Sequence, residues 1–271
     1  MKAIGFDISL NHGAAYELTN GKPTWFSYYT VAAGVAANSP FGHRLPAPPT
    51  KKKGGDEVDL QPYRVQRLAW IESWIDKTVL VARRPDFVGI EDYALRAEQG
   101  AHQLGEVGGI ARILFWFRGV YFRKHDPISV KLFVAHDGTA QKDLIEECAR
   151  KRWGIDHSDV NAEPPPGKKQ NRTTSEDLAD AFGIAKLVDV EHRIRSGKLR
   201  LQDLEHDKER QVFNRVTKTY PVSLIGREWI RNPAGSYGSP DAVKIRLQAE
   251  IARTSKRNPK LAAYLDRILK G

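Results

Sequence analysis

Apolar and polar positions at the start of the chain follow a pattern that predicts strands. Residues 2–9, 14–18 and 24–33 are short segments rich in apolar and aromatic side chains, and turn residues separate them. Asn20-Gly21, between the second and third segments, is the strongest two-residue signal for a β-hairpin. The chain is therefore predicted to open with three consecutive antiparallel strands.

Further along the chain, the spacing of apolar residues changes from that of strands to that of a helix. Between Gln61 and Arg84 apolar residues recur at helical spacing, and Pro85 predicts the end of this helix. Residues 86–90 then form a compact apolar run, which is typical of a strand buried on both faces. This strand delivers the acidic side chain of Glu91 at its C-terminal end.

Helices and strands alternate in the rest of the core. The pattern predicts a helix over 101–121, a strand over 128–134, a helix over 139–153 and a long helix over 175–195. Three antiparallel strands followed by alternating helices and strands indicate a mixed α/β layer fold.

Two proline-rich and lysine-rich segments interrupt this pattern. Residues 34–59 and 154–174 have the composition of exposed loops, and we expect them to be flexible insertions. The predicted organisation is thus a core domain over 1–195 with two insertions, followed by a basic, helical extension over 196–271.

The charge is concentrated in that extension. The chain of 271 residues has 43 basic and 33 acidic side chains, a formal net charge of +10. Residues 191–271 hold 18 Lys and Arg against 9 Asp and Glu, so nearly all the excess lies there. A patch of this sign suits a phosphate-rich partner such as nucleic acid, although a solvated, solubilising surface has the same composition.

Cysteine content and hydropathy argue against a disulfide-bonded, zinc-thiolate, membrane or secreted protein. Cys148 is the one cysteine, so neither an internal disulfide nor a multi-thiolate zinc site is possible. No uncharged apolar run reaches the ~18 residues that a membrane span needs, and Asp7 stands where a signal peptide needs apolar residues. A cytoplasmic protein without a membrane partner is expected.

Four acidic residues stand out by their positions in the predicted elements. Asp7 lies within the first strand and Glu91 ends the fourth, whereas Asp177 and Asp180 share one face of the last core helix. Taken singly, each has an ordinary structural explanation, such as capping a helix or ending a strand. Together they suggest carboxylates at the edge of apolar packing, where unpaired anions are costly unless a cation neutralises them.

A divalent cation is the expected neutralising group. An all-carboxylate cluster suits Mg²⁺ or Mn²⁺ better than zinc, which prefers His and Cys. Two such ions in one site can activate a water molecule and stabilise the leaving oxygen of a phosphodiester. We therefore expect two metal ions, held by the four acids.

Five sequence blocks, in order, resemble those of RuvC-type Holliday-junction resolvases, and the resemblance spans roughly residues 1–192. The blocks are Gly5-Phe6-Asp7-Ile8-Ser9, Phe87-Val88-Gly89-Ile90-Glu91, residues 105–111, Val130-Lys131 with residues 138–142, and residues 177–182. The resemblance implies a ribonuclease-H-like fold with a five-stranded mixed sheet, a homodimer, and metal-dependent paired incisions in four-way DNA junctions. It also implies that Asp7, Glu91, Asp177 and Asp180 are the catalytic, metal-binding acids.

The resemblance extends to candidate DNA contacts. Lys131 and Lys142 match basic positions of the family and would contact phosphate or offset transition-state charge. Tyr93 is the nearest candidate for the family's aromatic residue after the Glu, although it stands one position short.

The insertions and the extension exceed the usual family core, as in viral or divergent members. In the extension, bases are interleaved with aromatic residues, which suits nucleic-acid contact. The candidate contacts there are Arg227, Arg231, Lys256 and Arg257. Near-helical apolar spacing after residue 246 equally allows the extension to dock on the body.

Other functions remain open at this point. A nuclease of the same fold could act on other branched DNA or on RNA. Actin-like and sugar-kinase-like ATPases share the Gly-x-Asp opening, and residues 136–139 could mimic a second phosphate loop. We find no second copy of the adenosine-binding kind, and Glu91 and the Asp177/Asp180 pair would be unexplained. A catalytically silent junction-binding protein would need one acid lost, and all four are present. His12, in the turn after Asp7, is either a loop residue or an assisting base.

Overall fold

The computed structural model describes residues 1–20, 22–29, 42–45, 61–92, 101–160 and 173–233. These residues build one mixed sheet with the strand order β4-β3-β2-β1-β5-β6. The strands are β1 (Lys2–Ile8), β2 (His12–Thr19), β3 (Lys22–Tyr29), β4 (Gly42–Arg44), β5 (Phe87–Glu91) and β6 (Tyr121–His125).

Strand β1 lies at the centre of the sheet and pairs with neighbours of both directions. It runs antiparallel to β2, with Asp7 opposite Ala14, and parallel to β5, with Phe6 opposite Ile90. Strand β3 continues the antiparallel hairpin, and β6 continues the parallel half. The predicted ribonuclease-H-like sheet of three antiparallel strands followed by parallel ones is therefore confirmed. The short β4, inside the predicted 34–59 insertion, adds a sixth strand parallel to β3.

The helices were mostly predicted at the positions where they occur. They are α1 (Gln61–Ser73), which continues as a π-helix over Trp74–Val81, then α2 (Ala101–Arg118), α3 (Pro127–Ala135), α4 (Lys142–Trp153), α5 (Thr173–Arg195) and α6 (Asp207–Asn214). One face of the sheet packs against α1 and α2, and the other face packs against α5, which α3, α4 and α6 flank.

The prediction of a fifth strand over 128–134 is wrong. The strand of the sheet is β6, one element earlier, and residues 128–134 lie within α3. A short apolar run does not by itself distinguish a strand from a buried helix. The helix starts at Pro127, and the Asp126 carboxylate accepts a hydrogen bond from the Ile128 amide as its N-cap. Lys131 consequently lies on a helix rather than near a strand end.

Helix α5 lies directly on the centre of the sheet, and two glycines allow this contact. A side-chain carbon on Gly5 of β1 would lie 2.2 Å from the Ala181 carbonyl oxygen and 2.4 Å from the Ala185 amide nitrogen. A side-chain carbon on Gly89 of β5 would lie 2.6 Å from the Ile184 side chain. The backbone of α5 can therefore approach β1 only because position 5 has no side chain.

Residues 196–233 pack onto the core rather than standing apart from it. Leu204, Phe213 and Leu224 of this segment are buried in the same cluster as residues of α3 and α5. Arg123 of β6 and Glu191 of α5 form a buried ion pair at 2.6 Å, and the Arg123 guanidinium also donates to the carbonyl oxygens of Leu224 and Arg227. Residues 234–271, and with them the rest of the predicted helical extension, lie outside the described residues.

Candidate active site

The C-terminal ends of β1 and β5 bring two of the four predicted acids together. The strands are parallel neighbours, so Asp7, near the end of β1, and Glu91, the last residue of β5, lie at one edge of the sheet. The two carboxyl groups share a hydrogen bond. Both side chains keep part of their surface open to solvent.

Helix α5 supplies the other two acids. Its first turns lie above the end of β1, because the helix crosses β1 at Gly5 and Ala181. The Asp177 side chain is 3% exposed and that of Asp180 is 18% exposed. Strand ends and helix therefore bring together the four acids that the sequence singled out.

The carboxylates are close enough to raise one another's pKa values. Burial raises the pKa of Asp7 well above its usual value, and the negative charges of Asp177, Glu91 and Asp180 raise it further. Burial and Asp180 raise the pKa of Glu91 to about 7, and burial raises that of Asp180 to about 6, with Asp177 adding to the increase. Such shifts indicate anions that lack sufficient neutralising charge, and they are common at functional sites.

Two lysines face the carboxylates. The Lys142 ammonium, on the first residue of α4, donates to Asp177 Oδ1 at 3.2 Å and lies 3.6 Å from Asp180 Oδ2. Burial lowers the pKa of Lys142, but Asp7, Asp177 and Asp180 raise it more, so it stays charged. Lys131, on α3, lowers the pKa values of Glu91 and Asp180. Lys142 thus contacts two of the acids, and Lys131 is near enough to act on the pKa values of two.

His12 contacts the site directly. Its Nδ1 lies 2.5 Å from Asp177 Oδ2, while its ring is 34% exposed. The sequence placed His12 only near Asp7, in the turn after β1. Its contact with Asp177 joins residues 165 positions apart, which no local pattern reveals.

Two residues that support the loop after Asp7 were not identified from the sequence. Arg67, buried in α1, donates to the Leu10 carbonyl oxygen at 2.5 Å, and the Tyr28 hydroxyl donates to the Ser9 carbonyl oxygen. These bonds hold the loop that follows Asp7. The one signal available was a basic residue within the apolar stripe of the predicted helix over 61–84.

Neither Arg227 nor Arg231, the predicted DNA contacts of the extension that the structure describes, forms an ion pair with the four acids. The Arg227 guanidinium stacks on Tyr220, 4.3 Å from the ring centre. Arg227 is nevertheless near this edge, because the hydroxyl of Tyr220, on which it stacks, donates to Asp92, the residue after Glu91. Arg231 stacks on Tyr121, the first residue of β6, at 4.6 Å, and so lies toward the opposite end of the sheet. Tyr93, Lys256 and Arg257 lie outside the described residues.

The chemistry of the four carboxylates fits a hard divalent cation, but the side chains are not placed to coordinate one. Within the described ranges, no three His, Cys, Asp or Glu side chains are placed to hold a metal ion. The Lys142 ammonium is bonded to Asp177 and close to Asp180, where it supplies part of the positive charge that the carboxylates need. Four carboxylates and no thiolate suit Mg²⁺ or Mn²⁺, and the Lys142 side chain beside them is 44% exposed.

No family model and no curated protein matches the chain. Among solved structures, the Thermus thermophilus RuvC structure is 22% identical, with a TM-score of 0.42, and the match covers 73% of this chain and 97% of that one. T. thermophilus RuvC in complex with Holliday junction substrate is also 22% identical, with a TM-score of 0.40 and coverages of 68% and 90%.

Every helix in the described part of the chain is too short or too polar to cross a membrane.

Proposed function

We propose that this protein is a metal-dependent endonuclease that resolves four-way DNA junctions by paired phosphodiester hydrolysis. The observation that carries the proposal is the convergence of Asp7, Glu91, Asp177 and Asp180 at one end of the sheet, beside two lysines. Carboxylates with too little neutralising charge suit a metal-assisted reaction on a phosphodiester better than a purely structural role.

Each group at the site has a role in this proposal. The four carboxylates would hold two Mg²⁺ or Mn²⁺ ions, and these ions, when bound, would supply a Lewis acid for the phosphate and activate a water molecule. Lys142, once it leaves Asp177, and Lys131 offer positive charge to the phosphate oxygens. His12 orients the Asp177 carboxylate through the hydrogen bond between its Nδ1 and Asp177 Oδ2.

Paired incision requires two active sites, so the proposal includes a homodimer. Helix α2 has exposed apolar residues four positions apart, Ile113 at 55% and Phe117 at 47% exposure, and these share one helix face. We place the dimer contact on this face because large apolar residues are enriched in the buried cores of such interfaces.

Ile113→Glu is expected to convert the dimer to a monomer, because it places a charge in the apolar centre of the contact. Sedimentation analysis should show the change in mass, and junction resolution should become single-strand nicking. Val65→Glu is the matched control, since Val65 is 64% exposed on α1. A monomeric wild-type protein, or an unchanged dimer of the Ile113 variant, would contradict this placement.

One experiment tests the class of substrate and the cofactor together. Synthetic four-way junctions, forked DNA, linear duplex and structured RNA are incubated with the full chain, in Mg²⁺, in Mn²⁺ or in chelator. Symmetric cuts in the four-way junction alone, only with metal, support the proposal. Cleavage of forks or RNA at equal rates would instead support the broader branched-DNA or RNA nuclease. No cleavage of any substrate would refute the nuclease.

Asp7→Asn is expected to stabilise the metal-free protein, because it removes one of several mutually repelling charges. The raised pKa of Asp7 means that the folded protein keeps a proton which the unfolded chain releases near pH 4, so wild-type stability falls as pH rises above that value. The variant should lose less stability between pH 5 and pH 8. Melting in chelator measures this, and ~2–4 °C is expected for each kcal/mol gained.

The same melts with Mg²⁺ give the internal control. Metal should raise the melting temperature of the wild type, because a ligand that binds only the folded state stabilises it. The increase should be smaller for Asp7→Asn, which has lost a ligand. A variant that is less stable than the wild type in chelator at pH 8 would show that the Asp7 charge is already well neutralised.

A further inference from the structure

A cavity lies at the end of the sheet opposite the four acids. Its volume is about 770 Å³, and the starts of β5 and β6, the C-terminal end of α2 and the end of α5 surround it. Helix α5 carries Asp177 at one end and His192 at the other, which places the cavity roughly 22 Å from the acids at 1.5 Å per residue. This cavity plays no part in the function proposed above.

Positive charge predominates in the lining. Arg84, Lys198 and Arg231 are exposed cations of the lining, against one exposed carboxylate, Asp86. Arg118 also lines the cavity, but a bidentate pair with Asp76 neutralises it. No salt bridge to Arg84 or Lys198 occurs in the part of the chain that the structure describes, so both retain their capacity to bind an anion.

An aromatic wall supports these cations. The Phe87 and Tyr121 rings stack with centres 5.3 Å apart, and Trp229 packs edge-on against Phe87 at 5.0 Å. The Arg231 guanidinium lies over Tyr121, donates to its hydroxyl at 2.9 Å and donates to the Gly119 carbonyl oxygen at 2.9 Å. The arginine is thereby fixed in place before any ligand arrives.

The backbone at Arg84 is unusual for an arginine. Its φ of 50° lies in the left-handed region, which side chains other than glycine, Asn and Asp rarely adopt. Its amide donates to the Leu80 carbonyl oxygen at 2.9 Å, so the conformation ends the preceding helix. Glycine would be the less strained residue at this position, and strain that persists is often found at binding sites.

From this cavity we infer a second DNA-binding site, in which Arg84, Lys198 and Arg231 contact the phosphate backbone of a substrate arm. The inference rests on the proposed function, because it takes the ligand to be the same branched DNA. The exposed guanidinium and ammonium groups match phosphate oxygens in charge and geometry. It also gives Arg231 its predicted role in DNA binding at a place remote from the acids.

The test compares two variants of the full chain that lose the same charge. Arg84→Gln/Lys198→Gln removes two cations of the cavity, and Lys208→Gln/Lys218→Gln removes two exposed lysines elsewhere. Junction affinity is measured by fluorescence anisotropy in chelator from 50 to 200 mM salt. Because each phosphate contact contributes ~0.9 to the slope of log K against log salt, the cavity variant should lose about 1.8 and the control nothing.

A third variant excludes an effect of backbone strain. Arg84→Lys/Lys198→Arg keeps both charges and should keep the wild-type slope, whereas loss of the slope in this variant would overturn the inference. Equal slopes for the cavity variant and the wild type would also overturn it. A wild-type protein that binds no junction would instead refute the proposed function, so the two failures are distinguishable.

Discussion

Junction incision by Glu91→Gln or Asp180→Asn is expected to fall on the order of a thousandfold, the scale on which loss of one preorganised electrostatic group reduces turnover. Each substitution replaces a carboxylate with a neutral amide of the same shape. The remaining acids should then hold divalent cations less well, whereas Lys131 and Lys142 should still contact DNA. Incision of a labelled four-way junction in Mg²⁺ measures the loss, and anisotropy in Ca²⁺ or chelator measures binding.

The matched control for these variants is Glu147→Gln. Glu147 is 44% exposed on α4 and pairs with Lys151 one helical turn away, so its loss should leave incision unchanged. Binding that disappears together with incision would show that the two acids maintain the fold rather than the reaction. Incision that persists in either variant would remove that residue from the proposed metal site.

Gly5→Ala is expected to destabilise the native core strongly. The added methyl carbon would meet the Ala181 carbonyl oxygen at 2.2 Å, and backbone atoms of α5 cannot rotate away as a side chain can. Overpacking of a core usually costs 1–3 kcal/mol, and we expect at least about 3 kcal/mol here, because α5 must lift from the sheet. Urea denaturation followed by circular dichroism measures the loss.

Gly105→Ala is the comparison for this variant. A side-chain carbon at Gly105 of α2 meets no atom within 4 Å, and alanine favours a helix over glycine by ~1 kcal/mol. This variant should be at least as stable as the wild type. If Gly5→Ala unfolds at the wild-type urea concentration, the close approach of α5 to β1 is not a requirement of the fold.

The four acids could be singled out from the sequence because the end of a strand and the period of a helix are local features. Asp7 lies near the end of an apolar strand, Glu91 ends another, and parallel neighbouring strands place such ends at one edge of a sheet. Asp177 and Asp180 are three residues apart, which alone puts them on one face of α5. Only the sheet order and the crossing of α5 over Gly5 were needed to bring the two pairs together.

Contacts between distant residues could not be predicted in the same way. The bond from His12 to Asp177 and that from Arg67 to Leu10 depend on how elements pack, and a single sequence records neither. Strand β6 was missed for a related reason. It contains Arg123 and Lys124, and charged residues are typical of a surface unless partners are known. Their partners are Glu191 and Asp92, which lie far away in the sequence.

The buried ion pair of Arg123 and Glu191 determines where the chain can be shortened. Leu224 and Arg227 supply carbonyl oxygens to both Arg123 and Arg195, so ending the protein at residue 195 would deprive buried charges of several acceptors. Disrupting one side of a buried ionic network costs about 3–5 kcal/mol. Residues 196–233 and the sheet should therefore unfold in a single cooperative transition, and any deletion that probes the basic end has to begin after residue 233.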